Sequence, residues 1–108
     1  MPDPRTAPEV RPRPAGGADE PVVRVVLADD SEDYRALVAL RMRRRADVDL
    51  LAAVPDGEAA LRAVADLAPD VVLLDVSMPR LDGFAVARRI RATAPHTRIV
   101  MLLSLIHI

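Results

Sequence analysis

Residues 71–83 read VVLLDVSMPRLDG, and this stretch decides the fold of the chain. Four apolar residues bounded by turn residues indicate a short strand buried on both faces, as in a parallel sheet. Asp75 closes the strand, and Pro79 stiffens the loop that follows. A helix is predicted next, because apolar residues recur at helical spacing: Phe84, Ala87 and Ile90. Asp75 is therefore predicted at the carboxyl end of a strand, where open α/β sheets bind their ligands.

The rest of the chain alternates between strand and helix in the same way. Further strands are predicted at residues 22–28, 48–54 and 98–103. Helices are predicted at residues 32–45, 58–67 and 83–93. This order implies parallel strand pairing with right-handed crossovers. The predicted fold is therefore α/β, with a doubly wound parallel sheet of strand order 2-1-3-4.

The composition excludes several classes of protein. The 108 residues suffice for one small domain, and the core must be aliphatic because 51% of residues are hydrophobic but only 2% aromatic. The net charge of -1 gives no sign of a nucleic-acid-binding surface, and the absence of cysteine excludes disulfides and thiolate metal sites. No apolar run approaches a membrane span and no secretory signal is recognised, so we expect a cytoplasmic protein without membrane partners.

Residues 1–21 are predicted to be a disordered leader rich in proline and arginine. They hold six of the ten prolines, together with Gly16, Gly17 and scattered charges. Such a segment buries too little apolar surface to offset the entropy lost on ordering. Its arginines could contact an anionic partner, but the composition favours a solvated tail.

Acidic residues follow two of the predicted strands. Asp29 and Asp30 follow the first strand, and Asp75 follows the third. In the order 2-1-3-4 these strands are neighbours, so the three carboxylates are expected to converge at the topological switch point. Two carboxylates about 4 Å apart repel each other by about 4 kcal/mol at an effective dielectric constant of about 20, so the cluster should recruit a cation or retain protons. Oxygen ligands favour a hard ion, and Mg2+ fits best.

A cation held by carboxylates suggests phosphoryl chemistry, with Asp75 as a nucleophile that forms an acyl phosphate. Ser104 ends the fourth strand at the same edge, and its hydroxyl could bond a phosphoryl oxygen. Each acid also has a structural interpretation when taken alone: Asp30, or Ser31 beside it, can cap the first helix, and Asp29 can be a solvated strand end. Their combination with Asp75 favours function. For Asp82 we retain the structural interpretation, an Asp-Gly turn.

Other conspicuous side chains favour structural roles. The first helix is predicted to bury an apolar stripe made of Tyr34, Leu37, Val38 and Met42. Phe84 is likewise a predicted core residue. Four arginines lie at the predicted end of the first helix: Arg41, Arg43, Arg44 and Arg45. The helix dipole favours cations there by about 0.3–1 kcal/mol, so helix stabilisation is favoured over a docking patch.

From residue 22 to residue 104 the chain resembles the receiver domain of bacterial two-component response regulators, which has a flavodoxin-like fold. Three motifs carry the resemblance: VLADD at residues 26–30, PDG at residues 55–57 and LLDVSMPRLDG at residues 73–83. The sequence is most similar to the subfamily with a C-terminal helix-turn-helix output domain. The resemblance therefore implies a signalling module that controls an output domain, most often in transcription.

The resemblance also implies a role for each predicted site residue. Asp75 would accept a phosphoryl group from the phosphohistidine of a sensor histidine kinase. Asp29, Asp30, Asp75 and the backbone carbonyl of Ser77 would bind Mg2+. Ser104 would contact the phosphoryl group through its hydroxyl. Such a module is not an enzyme beyond its own phosphorylation and dephosphorylation, and pairing of two receivers is a further implied interaction.

The C-terminal end departs from the family pattern. Receivers continue through a fourth helix, a fifth strand whose lysine neutralises the phosphoryl group, and a fifth helix. All 15 basic residues here are arginine, whose planar group is a poor substitute for a compact ammonium. The last four residues, 105–108, do not fit the receiver pattern. We therefore expect residues 22–104 to form a partial receiver domain, followed by a tail that is not native receiver sequence.

Two alternatives stand beside the receiver interpretation. A phosphatase of the haloacid dehalogenase type also has an Asp nucleophile after a parallel strand and uses Mg2+. Such enzymes usually carry a second Asp two residues later, where this chain has Ser77. The other alternative is a nonfunctional fragment of a response regulator, because the family's lysine and last helices are missing.

The apolar segment from residue 98 to residue 108 is predicted to lie at the edge of the sheet without a neighbour beyond it. Exposed apolar edge strands pair with other chains. We predict that the isolated 108-residue chain self-associates or folds only partly, which sedimentation velocity and thermal unfolding would measure. A monodisperse monomer with a cooperative thermal transition would contradict this expectation.

Overall fold

The computed structural model describes residues 21–76 and 83–102, and within them strands and helices alternate. The strands are β1 (Val23–Ala28), β2 (Val48–Val54), β3 (Val71–Asp75) and β4 (Arg98–Leu102). The helices are α1 (Glu32–Arg43), α2 (Gly57–Leu67) and α3 (Gly83–Thr93). Each predicted element is present, with small differences at the ends of several of them.

The four strands form one parallel sheet of order β2-β1-β3-β4, which confirms the predicted α/β doubly wound fold. The register of β1 against β2 shifts between Val25 and Val26, whose partners are Leu50 and Ala52. Leu51 is therefore the extra residue of a β-bulge. Because all four strands are parallel, their carboxyl ends lie at the same edge of the sheet.

Helices cover both faces of the sheet, which explains why β1 is apolar at nearly every position. Val26 and Ala28 belong to the larger buried cluster, which includes residues of α2 and α3: Ala60, Val64, Val86 and Ile90. Val25 and Leu27 belong to a second cluster that includes Ala39 of α1. Successive residues of a strand point to opposite faces, so β1 contributes to both clusters in turn.

Local interactions determine where α1 and α2 begin and where α2 ends. Ser31 and Asp56 each accept a hydrogen bond from the backbone N–H three residues later, at 3.2 and 2.8 Å, and so cap the two helices. Ala68 ends α2 in the left-handed conformation, with φ at 47°, and Pro69 follows it. Arg24 of β1 donates to the last two carbonyls of this turn at 2.7 and 2.8 Å. These bonds tie the end of α2 to the sheet.

Two predictions about buried side chains are wrong. Phe84 is 58% exposed, because the buried residues of α3 lie at other positions: Gly83, Val86 and Ile90. Phe84 lies about 100° around the helix from Gly83 and so faces away from the core. Leu37 is 45% exposed, and the buried residue of α1 is Ala39. Apolar character alone did not distinguish the two sides of these helices.

The arginine cluster near the end of α1 divides into two parts. Arg41 and Arg43 lie in the last turn, where the helix dipole favours cations. Arg45 lies beyond the helix, which ends two residues earlier than predicted, and it donates two hydrogen bonds to Asp47, at 2.8 and 2.9 Å. The bonded guanidinium holds the pKa of Asp47 below its ordinary value. Helix stabilisation thus accounts for part of the cluster and a local ion pair for another part.

Several residues named in the sequence analysis lie outside the described part of the chain. They are residues 1–20 of the predicted leader, Ser77, Pro79, Asp82, Ser104 and the tail at residues 105–108. No helix in residues 21–76 and 83–102 has the length and apolar character needed to span a membrane.

Replacement of Leu74 by Ala should strongly destabilise the fold. Leu74 is fully buried in the larger cluster, so the lost contacts and the cavity should lower the free energy of unfolding by about 2–5 kcal/mol. The matched control is Leu40→Ala on α1, where the leucine is 51% exposed. Its effect should be below about 0.5 kcal/mol. Urea unfolding at low protein concentration measures both, and equal losses would contradict the assigned core.

Candidate functional site

Backbone pairing brings the predicted acids to one edge of the sheet. β1 and β3 are parallel neighbours with Ala28 opposite Leu74, so Asp29 and Asp75 come next on the two strands. The N–H of Asp29 donates to the last carbonyl of β2 at 3.0 Å, and Asp75 is paired with Leu102 of β4. Each acid is therefore held by the strand on its outer side as well.

The side chains of Asp29, Asp30 and Asp75 converge at this edge. Each offers one carboxylate oxygen, and these three atoms lie within 4.8 Å of one another. Asp29 and Asp75 are fully buried, and Asp30 is half-buried. One oxygen of each carboxylate is itself buried. The structure thus places together the three acids that the sequence analysis selected.

The main chain between β1 and α1 orients Asp29. Its Oδ1 accepts a hydrogen bond from the N–H of Ser31 at 2.8 Å, and its backbone carbonyl accepts one from Nη1 of Arg35, also at 2.8 Å. Sequence reasoning did not identify Ser31 or Arg35 as residues that support the site. The indication that the sequence offered was that Ser31 and Arg35 lie two and six residues after Asp29.

The structural interpretation of Asp30 as a helix cap does not hold. The N-cap of α1 is Ser31, whose side chain accepts the hydrogen bond from the first turn. Asp30 therefore keeps its carboxylate at the acidic cluster, and the cap is formed by the residue after it. Helix capping does not explain why an acid stands at position 30.

The electrostatics of the cluster favour a hard cation. At a separation of about 5 Å and an effective dielectric constant of about 20, each pair of ionised carboxylates repels by about 3 kcal/mol. A divalent ion or bound protons would relieve this repulsion. All donors are carboxylate oxygens, the ligand type that Mg2+ prefers. The residues present therefore fit a Mg2+ site.

Gly83 allows α3 to begin close to the end of β3. A Cβ atom at this position would lie 3.3 Å from the backbone oxygen of Asp75 and 3.4 Å from Cα of Val76. Both neighbours belong to the main chain and have little freedom to move. Glycine thus permits the close approach of α3 to the acidic edge.

Comparison with known proteins identifies the type of domain. The model of the response regulator receiver domain family matches residues 25–105. A protein-glutamate methylesterase/protein-glutamine glutaminase of Nocardioides sp. is 39% identical over 85 residues, which cover 79% of this chain and 23% of that protein. A second such protein, from Myxococcus xanthus, is 37% identical over 86 residues, covering 80% of this chain and 25% of that protein. The chain thus spans about a quarter of the length of these relatives.

Solved structures agree with the match. The signal receiver domain of NarL from Mycobacterium tuberculosis has a TM-score of 0.70 at 36% identity, over 75% of this chain and 65% of that one. The response regulator domain of CheB from Thermotoga maritima has a TM-score of 0.71 at 31% identity, over 78% of this chain and 62% of that one. The resemblance found in the sequence motifs is therefore confirmed, and the chain belongs to the response regulator receiver domain family.

Proposed function

We propose that the chain is a signalling module that accepts a phosphoryl group on Asp75 from a sensor histidine kinase. The observation that supports this most strongly is the convergence of three carboxylates, within 4.8 Å, at the carboxyl edge of a receiver-family sheet. In the transfer, a carboxylate oxygen of Asp75 attacks phosphorus, an O–P bond forms, and the N–P bond of the donor phosphohistidine breaks. The imidazole nitrogen leaves with the electron pair of that bond.

The residues around Asp75 have distinct tasks in this proposal. Asp29 and Asp30 would bind Mg2+ together with Asp75, and the backbone carbonyl of Ser77 would add a ligand. When bound, Mg2+ supplies the positive charge that lets an anionic donor approach an anionic acceptor. Asp29 is held ready by the N–H of Ser31, so the carboxylate needs little reorganisation. The buried setting of Asp75 limits competition from water.

Ser104 is proposed to bond the phosphoryl group through its hydroxyl and to transmit the change. Its support is its position in the sequence, two residues after Leu102, which ends β4 and is the register partner of Asp75. The added phosphoryl group carries about 1.5–2 negative charges at neutral pH, enough to attract a hydroxyl donor. A movement at the end of β4 would then be the signal that a partner reads.

The output of this module is proposed to be either transcription or protein demethylation. The motifs at residues 26–30, 55–57 and 73–83 resemble the subfamily with a C-terminal helix-turn-helix domain, which favours a DNA-binding output domain in the parent protein. The methylesterase relatives favour a catalytic output domain. In either case the effector lies in another domain, and this segment itself contacts no nucleic acid. We place the module in the cytoplasm, where a sensor kinase would reach it, and pairing of two receivers is a further candidate interaction.

The phosphatase alternative has less support than the receiver. The family match and both solved structures belong to receivers, and Ser77 stands where a dehalogenase-type phosphatase carries its second Asp.

Small phosphodonors should modify Asp75. We predict that phosphoramidate with Mg2+ adds one phosphoryl group to the parent protein. Asp75→Asn should abolish the addition because the nucleophile is gone. Intact-mass spectrometry at neutral pH measures the product. Asp66→Asn, an exposed acid on α2, is the matched control and should be modified normally. Retained labelling of Asp75→Asn, or steady turnover of a phosphate monoester, would contradict the assignment.

Removing one charge from the cluster should stabilise the fold in the absence of Mg2+ and reduce the stability that is gained when Mg2+ is added. In EDTA, Asp30→Asn should raise the free energy of unfolding by about 1–3 kcal/mol, because carboxylate repulsion is relieved. In millimolar Mg2+ the wild type should gain stability by ligand binding, and the variant should gain much less. Thermal unfolding under both conditions gives the comparison, with Asp66→Asn as the control. A variant stabilised by Mg2+ as strongly as the wild type would refute the cation site.

A further inference from the structure

Arg35 on α1 is bonded directly to the main chain of the acidic cluster. Its Nη1 donates to the backbone carbonyl of Asp29 at 2.8 Å, and its own N–H donates to the carbonyl of Ser31, also at 2.8 Å. The side chain is half-buried. Arg35 therefore spans the connection between β1 and α1, with its backbone fixed in the helix and its guanidinium at the end of the strand.

This bond determines the direction of the peptide group that joins Asp29 to Asp30. A peptide group is planar, so fixing its carbonyl also fixes the N–H of Asp30 and restricts the direction of the following side chain. The N–H of Asp29 is held by β2, and its Oδ1 is held by Ser31. The bond from Arg35 adds a third constraint, which acts on the backbone carbonyl of Asp29 and so on the peptide group that joins Asp29 to Asp30.

Arg35 also brings a permanent positive charge to the edge of the cluster. Charge and positioning have opposite effects on cation binding. The guanidinium repels a divalent ion, so its removal would strengthen binding if charge dominated. If positioning dominates, its removal lets the main chain between Asp29 and Asp30 relax, and binding weakens. The direction of the change therefore distinguishes the two effects.

We propose that Arg35 is a positioning residue of the cation site, which holds the main chain of Asp29 so that the carboxylates of Asp29 and Asp30 face one ion. This proposal rests on the proposed function, because it requires that the cluster binds Mg2+. It extends that function by assigning a task to a residue that contacts neither the ion nor the phosphoryl group.

The test is the Mg2+ affinity of the full chain, measured by isothermal titration or by NMR chemical shifts without any phosphodonor. Arg35→Gln should weaken Mg2+ binding by about 10–100-fold, the usual cost of losing a group that orients a metal ligand. The matched control is Arg41→Gln, on the same helix and exposed, which removes the same charge and should bind like the wild type. Arg35→Lys keeps the charge and one donor, and should recover part of the lost affinity.

The outcomes separate the two proposals. A wild type that binds no Mg2+ would overturn the proposed cation site and this inference with it. A wild type that binds Mg2+, with Arg35→Gln binding equally or more tightly, would overturn only the role of Arg35. If Arg35→Gln fails to fold, the lysine variant decides, because affinity below that of the wild type and of Arg41→Gln supports the role, and unchanged affinity contradicts it.

Discussion

The parallel pairing of β1 with β3 is the constraint on which the site depends. With Ala28 opposite Leu74, the acids that follow these residues must meet at the carboxyl edge. The strands are held in this register by apolar packing on both faces, so burial supplies the free energy that keeps like charges together. A shift of β3 by one residue would move Leu74 from the larger cluster to the opposite face of the sheet, and would move Asp75 away from Asp29.

The acids are held in place by groups that also stabilise the surrounding helices and strands. The N-cap of α1 belongs to Ser31, and the N–H of the same residue orients Asp29. The bond from Arg35 to the Asp29 carbonyl joins helix and strand at the same point. Gly83 lets α3 approach the main chain of Asp75 and Val76 closely. Each feature has a structural explanation of its own, and together they leave the carboxylates with little freedom to separate.

The element order and the three acids could be predicted because strand, helix and turn patterns in this chain agree with one another. The supporting contacts could not, since the bond from Arg35 to Asp29 depends on how α1 lies against β1. Phe84 and Leu37 show the same limit: both are apolar at helical spacing, yet they face outward because Val86, Ile90 and Ala39 occupy the buried positions. Pattern identifies an apolar helix, and packing decides which of its residues are buried.

The proposed function requires that the acids at the ends of β1 and β3 bind one divalent ion between them. The most direct measurement is paramagnetic broadening of backbone amide NMR signals by Mn2+, used at substoichiometric amounts in place of Mg2+. We expect the amide signals of Asp29, Asp30 and Asp75 to broaden together, and those of Arg24 and Val71, at the opposite ends of the same strands, to broaden least. Broadening at only one of the two strand ends, or spread over exposed acids, would contradict it.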